Sequence, residues 1–332
     1  MKRRTFVQTG AAASVAGFAS KTSGAQPASS HETPRGESFA IDDHKVTFYT
    51  TAVTRPVNVM IVADTHLFTD DARGRPYQEY SGRMAKAYNS TTHARTGKPT
   101  NPEQCFEEAL GRTKSGHFDL LALVGDIFSF PSEAAIEWVT QRLGAIETPW
   151  LYVAGNHDWH YEGMEGTLQE LRAEWTERRL KPMYQGNHPL MAAYDVHGVR
   201  FLAIDNSHYE ILPEQLEFFR AEVSRGQPLV LLLHIPLAAP GRPMGFGCGN
   251  PQWSAATDRN FKIERRPRWP EAGHTQTTLD FHREVFEADN LMGIFAGHIH
   301  RQSVDVVNGI PQFVTNANAV GAFMEIRFEP QA

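Results

Sequence analysis

Short apolar runs alternate with longer polar, helix-patterned stretches along most of the chain. The runs VNVMIVA (57–63), DLLALV (119–124), WLYVA (150–154), LVLLL (229–233) and LMGIFA (291–296) are mostly apolar, and stretches such as LVLLL are unbroken. An unbroken apolar run of this length predicts a strand buried on both faces. His44–Thr51, Leu190–Val196 and Val199–Ile204 predict further strands, the last two joined at His197-Gly198. Three more β segments close the chain near 302–307, 310–315 and 321–328. Helices are predicted over Glu103–Lys114 after Pro102, from a Ser132 cap to Leu143, over Thr167–Arg179, over Glu214–Val223 after Pro213, and over Thr277–Phe286. This alternation predicts an α/β layered fold, and the terminal hairpins make its sheet mixed. Two stretches, 68–100 and 236–274, carry no such period. Loops of that length in a compact domain usually serve function, often as a lid.

Composition then narrows the class. The chain has 332 residues, 41% of them hydrophobic and 21% charged, which suits a globular domain rather than a disordered chain. It contains no run of 18 apolar residues, so no transmembrane anchor is predicted. A formal charge of −6 argues against an obligatory nucleic-acid partner. Two cysteines, Cys105 and Cys248, are too few for a disulfide framework or a four-thiolate zinc site. Two unpaired thiols or one bridge both stay open. The N-terminus combines Lys2, Arg3 and Arg4 with a mild Ala/Gly-rich segment and the small-residue site Ser23-Gly-Ala25. It resembles a twin-arginine signal over residues 1–25, which implies export to the periplasm or the medium. Residues 26–40 read as a flexible linker and 41–332 as a single domain carrying the two insertions.

Five apolar runs each end in a polar cluster. They lead into Asp64-Thr-His66, Gly125-Asp126, Gly155-Asn-His-Asp158, His234 and Gly297-His-Ile-His300. Ligand sites in α/β sheets lie at the carboxyl ends of strands, so adjacent strands would gather these groups. On an extended segment, residues two apart point the same way, so His298 and His300 are expected to converge on one point. Asp64, His66, Asp126, Asn156, His234, His298 and His300 supply imidazole, carboxylate and amide without thiolate, a set that suits Mn, Fe, Zn, Co or Ni. Seven ligands exceed the need of one ion, so two divalent or trivalent transition metal ions sharing a bridging Asp126 fit better. Glycines at 125, 155 and 297 precede ligands, where the backbone must turn sharply or approach closely.

The order D-x-H, GD, GNHD, H, GHxH, over about residues 58–328, resembles the calcineurin-like metallophosphoesterase family. The resemblance implies two mixed β-sheets packed as a sandwich and flanked by helices, a four-layer arrangement. It implies one metal on Asp64, His66, Asp126 and His300, and another on Asp126, Asn156, His234 and His298. His157 would face the substrate phosphate and Asp158 would orient His157. The implied activity is hydrolysis of a small-molecule phosphoester, with attack by a metal-bridging hydroxide. His157 would protonate the leaving oxygen or stabilise the equatorial oxygens.

Purple acid phosphatases in this family carry Tyr three residues after the bridging Asp, and many phosphodiesterase-type members carry Asp; here the position is Ser129. The tyrosinate–iron chromophore is therefore not expected. A phosphodiesterase is the first reading and a phosphomonoesterase or nucleotidase the second. A metal-stabilised scaffold is the reading from another class, disfavoured because His157 and all seven ligands are present. His93, His160, His208 and His274 read as surface or loop histidines before ligands. Tyr77, Tyr80, Phe246, Trp253 and Trp269 read as packing, and Arg242, Arg259, Arg265, Arg266 and Arg268 as a solvated face. The oligomeric state is not legible.

Overall fold

The computed structural model describes residues 38–242 and 273–331. Its strands are β1 (Phe39–Asp42), β2 (Lys45–Thr50), β3 (Val57–Val62), β4 (Thr91–Thr92), β5 (Pro99–Thr100), β6 (Leu120–Val124), β7 (Trp150–Val153), β8 (Met191–Val196), β9 (Val199–Ile204), β10 (Leu229–Leu232), β11 (Leu291–Ala296), β12 (Ser303–Val307), β13 (Ile310–Val314) and β14 (Met324–Pro330). The helices are α1 (Gln78–Ser81), α2 (Met84–Ala87), α3 (Pro102–Ser115), α4 (Glu133–Leu143), α5 (Leu168–Trp175), α6 (Pro213–Val223) and α7 (Gln276–Val285).

Two six-stranded sheets form, in the orders β1-β2-β14-β3-β6-β7 and β12-β13-β11-β10-β9-β8. Both are mixed: β3-β6-β7 and β13-β11-β10-β9 are parallel blocks, and antiparallel pairs flank them. The unbroken apolar runs follow from the layering. In β6, Leu121 and Leu123 pack with Phe106 of α3 and Val139 of α4, while Leu120, Ala122 and Val124 pack against the second sheet. In β10, Leu229 and Leu231 meet Phe219 of α6 and Phe281 of α7, while Val230 and Leu232 face the first sheet. The order is helix, sheet, sheet, helix. Each fully buried Leu or Phe in these layers contributes about 1.5–3 kcal/mol.

Caps fix the helix starts. Ser132 Oγ accepts from Ala135 N at 3.3 Å, and Asn101 Oδ1 from Gln104 N at 3.0 Å. The predicted helix 167–179 is shorter than expected. It starts at a Thr167–Glu170 capping box but ends at Trp175, and a wider turn runs through Leu180. Pro182 opens the next short turn and cannot continue an α-helix.

Three other expectations are corrected. The linker assigned through residue 40 overlaps β1, which pairs with β2 across Asp43-His44. The first insertion is not a bare loop: it holds a 3₁₀ turn (Ala72–Tyr77), α1, α2 and the β4–β5 ribbon. Only β12 and β13 make a terminal hairpin; β14 crosses to the other sheet, parallel to β2 and antiparallel to β3. Residues 1–37 and 243–272 lie outside the described residues. With them lie the proposed signal, most of the second insertion, Phe246, Cys248, Trp253, Trp269, Arg259, Arg265, Arg266 and Arg268. No helix among the described residues is long and apolar enough to cross a membrane.

Candidate metal centre

The loops after the parallel strands are zipped to one another by backbone bonds. Asp64 N–H donates to Gly125 O at 3.0 Å, His66 N–H to Asp126 O at 2.9 Å, and Gly297 N–H to His234 O at 2.9 Å. The carboxyl ends of β3, β6, β10 and β11 thereby deliver two clusters of three donors. Asp64, His66 and His300 form one, and Asp126, His234 and His298 the other, with the ligating atoms of each within 4.8 Å of one another. In the first, His66 Nε2 and His300 Nε2 stand 3.0 Å apart, and His300 Nε2 is 3.2 Å from Asp64 Oδ1. In the second, His234 Nε2 is 3.2 Å from Asp126 Oδ2. That same Oδ2 lies 3.9 Å from His66 Nε2, so Asp126 stands between the clusters.

The expectation that His298 and His300 converge on one point is corrected. β11 ends at Ala296, and φ is 71° at His298 and 50° at His300, so strand alternation no longer applies. One imidazole joins each cluster. Asp64, His66 and Asp126 also stand at positive φ, at 55°, 56° and 51°. Such backbone costs about 1–3 kcal/mol per residue and persists where the surroundings over-determine it. Here it turns five ligand side chains inward immediately after their strands.

The glycines leave room for this. A Cβ on Gly155 would lie 2.3 Å from Asp126 Oδ1, and one on Gly297 2.5 Å from Asp64 Oδ2 and 2.7 Å from Ala63 Cβ. Gly125 needs both space and its φ of 79°. Gly297→Ala is expected to cost about 1–3 kcal/mol by overpacking and to weaken metal binding, read by thermal unfolding and metal titration. Wild-type values for both would show that space is not what Gly297 provides.

The donor set fits metal ions. Asp64 and Asp126 are buried at 0% and 1% exposure, and among the described residues their ion-pair partners are histidines, with no lysine or arginine. Two buried carboxylates call for nearby positive charge. Two imidazole Nε2 atoms 3.0 Å apart likewise need a proton or a cation between them. Asn156, after β7, is buried at 5% exposure, and its Oδ1 has no hydrogen-bond partner. An amide oxygen is a suitable ligand there. The ionisation is set by the same packing. Burial opposes charge on Asp126, yet the His234 and His157 imidazoles hold its carboxyl well below the ordinary carboxylate range. Burial also opposes protonation of His234, but the neighbouring Asp126 carboxylate raises its pKa to about 9. Metal binding displaces such protons, since ligating histidines are neutral.

His157 is buried beside the clusters, its ring edge-on to His66 at 5.2 Å and its backbone N–H donating to Asp126 Oδ1 at 2.8 Å. Asp158 does not serve as expected. Its Oδ2 accepts from Gly155 N at 2.7 Å and Asp126 N at 3.0 Å, and its Oδ1 from Phe128 N at 2.8 Å. It holds the backbone of the two turns carrying Asp126 and His157, and so positions His157 only through the chain. Burial and the Asp126 charge raise its pKa to about 7.

Several further residues support the site, most of them without a signal in the sequence. Ser129, noted only as a departure, is buried and donates to His66 O at 2.9 Å. Thr65 Oγ1 donates to Asn318 Oδ1 at 3.0 Å. Asn206 clasps the turn after His234, donating to Ile235 O at 2.6 Å and accepting from Ile235 N at 3.0 Å. It lies in Asp205-Asn-Ser-His-Tyr209 after β9, a sixth polar strand end that the rule for the other five would have found.

Three histidines expected at the surface are buried and paired. His93 meets Glu108 at 3.0 Å, His208 Nδ1 accepts from Arg172 at 2.8 Å, and His274 meets Glu210 at 2.9 Å. His160 is half-buried, and burial lowers its pKa. Tyr77 stacks on Tyr161 at 5.0 Å and packs the first insertion onto the body, and Tyr80 also packs at that core. Arg242 pairs with Asp305 at 2.7 Å. Cys105 is buried as a free thiol.

The sequence profile of the calcineurin-like phosphoesterase family matches residues 57–302, and the chain belongs to that family. That span includes all seven candidate ligands and His157. Solved structures with a similar fold include a dimetal phosphatase from Danio rerio, with 12% identity, TM-score 0.49, and coverage of 81% of this chain and 91% of that one. A purple acid phosphatase from yellow lupin (Lupinus luteus) seeds shows 14% identity, TM-score 0.49, and coverage of 83% and 46%. A putative 5'-nucleotidase from Staphylococcus aureus shows 10% identity, TM-score 0.41, and coverage of 79% and 49%. Comparison with curated proteins gave no significant match.

Proposed function

We propose that the protein is a dinuclear metal phosphodiesterase using two transition ions from Mn, Fe, Zn, Co and Ni. The observation that carries this reading is the pair of donor clusters with Asp126 between them, 3.2 Å from His234 and 3.9 Å from His66. When bound, two cations lower the pKa of water and neutralise phosphoryl oxygens. The chain does the rest. Asp126 stays ionised in the apolar interior and ties the clusters together. Asp158, Ser129, Thr65 and Asn206 hold the turns, so the donors need no rearrangement as charge develops. His157 is the group placed to meet substrate, where it protonates the leaving oxygen or hydrogen-bonds the equatorial oxygens.

The diester preference rests on analogy with phosphodiesterase-type members of the family. We also propose export through the Arg3-Arg4 signal, for which the N-terminal sequence is the support. Fractionation of cells carrying Arg3→Lys and Arg4→Lys together tests it: retention inside supports export by this route, and unchanged secretion sinks it.

The test of function pairs metal analysis with assays of bis-p-nitrophenyl phosphate and p-nitrophenyl phosphate on one sample. About two ions per chain with faster diester turnover is the expected result. Faster monoester turnover would move the assignment to a phosphomonoesterase or nucleotidase. Two ions without turnover of any phosphoester would favour a scaffold.

A further inference from the structure

We infer that Tyr88, in the first insertion, is a positioning residue for the Asp64–His66–His300 cluster, so that retention of the ion there depends on the insertion. This rests on the dinuclear reading above. Tyr88 closes α2 and is half-buried. Its ring lies flat on His66, with centroids 4.1 Å apart and planes 13° from parallel. It also meets His300 edge-on at 5.4 Å, with its hydroxyl oxygen 3.5 Å from His300 Nδ1. His300 turns Nε2 toward Asp64, at 3.2 Å. In the ligating tautomer Nδ1 therefore carries the proton and points it at the Tyr88 oxygen. At 3.5 Å that bond is long, so the stack is the stronger contact. An imidazole on a cation is electron-poor, and the face of a phenol ring is electron-rich, so the stack strengthens when metal binds. Partners of this kind fix the orientation and tautomer of metal-bound histidines.

The placement of Tyr88 is built rather than incidental. Thr91 Oγ1 donates to Ala319 O at 2.6 Å, and Ala94 N to Val320 O at 2.9 Å. The same short turn, Asn318–Val320, holds the other side of the cluster: Asn318 N donates to Ala63 O at 2.8 Å, and Ala319 N to Asp64 O at 3.0 Å. His93, wedged at Gly321 and paired with Glu108, secures the ribbon that follows. One turn thus bonds both to the backbone at Asp64 and to the segment that follows Tyr88. The second cluster, Asp126, His234 and His298, makes no ring contact with Tyr88 among the described residues.

The test is zinc titration of the metal-freed full chain by calorimetry, for wild type, Tyr88→Phe and Tyr88→Leu, with thermal melting of each metal-free protein. Wild type is expected to bind two ions. Tyr88→Leu is expected to weaken one of them about 10–100-fold and leave the other unchanged, with an unchanged metal-free melting temperature. Tyr88→Phe, which keeps the stack, falls between. In a His66→Ala background, which removes the ring that Tyr88 stacks on, Tyr88→Leu is expected to have little further effect. Two unchanged affinities in Tyr88→Leu overturn the assignment. So does equal weakening of both ions with a lowered metal-free melting temperature, which would make Tyr88 a packing residue of the insertion. A wild type that binds no metal would overturn the dinuclear reading itself, an outcome distinct from both.

Discussion

Asp126→Asn is expected to reduce metal content from about two ions to less than one per chain and to lower turnover by at least about 10³-fold. The substitution isolates charge. Asparagine is nearly the same size and tolerates the left-handed φ of 51° found at this position. Its amide oxygen still accepts from His157 N–H, the bond Asp126 Oδ1 makes at 2.8 Å. The fold should therefore survive, which circular dichroism and thermal melting check. What disappears is the negative charge standing between the clusters, 3.2 Å from His234 and 3.9 Å from His66. Removing one member of a buried charged network costs about 3–5 kcal/mol, or two to four powers of ten in affinity. Two ions retained at wild-type affinity would remove Asp126 from the bridging position, and retained turnover would sink the dinuclear mechanism.

Much of this site was legible because its donors occur at strand ends. Asp64, Asp126, His234 and His298 each follow an apolar run closely enough that strand adjacency alone gathers them. The runs announced themselves, since β6 and β10 are apolar on both faces. What was not legible depends on chain far away or on backbone at single residues. β14 reads as a final hairpin strand, yet it inserts between β2 and β3, whose partners lie more than 250 residues earlier by position 324. The splitting of His298 and His300 between clusters follows from left-handed backbone at both, and neither position is itself a glycine that would signal it. The family resemblance implies that Asp158 orients His157. A carboxylate there is instead consumed by three backbone N–H groups, a demand that only the closed turn creates. Tyr88 sits in a polar insertion with no period, so nothing in its neighbourhood marked it. His93, His208 and His274 look like loop histidines until Glu108, Arg172 and Glu210 are brought to them across 15, 36 and 64 positions.

His157→Ala is the complementary case, expected to keep both ions and lower turnover about 10²–10⁴-fold. The imidazole lies outside both donor clusters, and its tie to Asp126 is through backbone N–H, which alanine retains. Metal content and melting temperature should therefore match wild type within error. The dependence on leaving group then separates its two candidate roles. If the ring protonates the departing oxygen, the loss is small for p-nitrophenolate, which leaves without a proton, and large for an alkoxide, which does not. If the ring stabilises charge on the equatorial oxygens, the loss is the same for both, because that charge forms in either reaction. A steep dependence assigns proton transfer, and a flat one assigns charge stabilisation. Wild-type turnover on both leaving groups, with metal intact, would remove His157 from the chemistry and leave the metal ligands alone to account for catalysis.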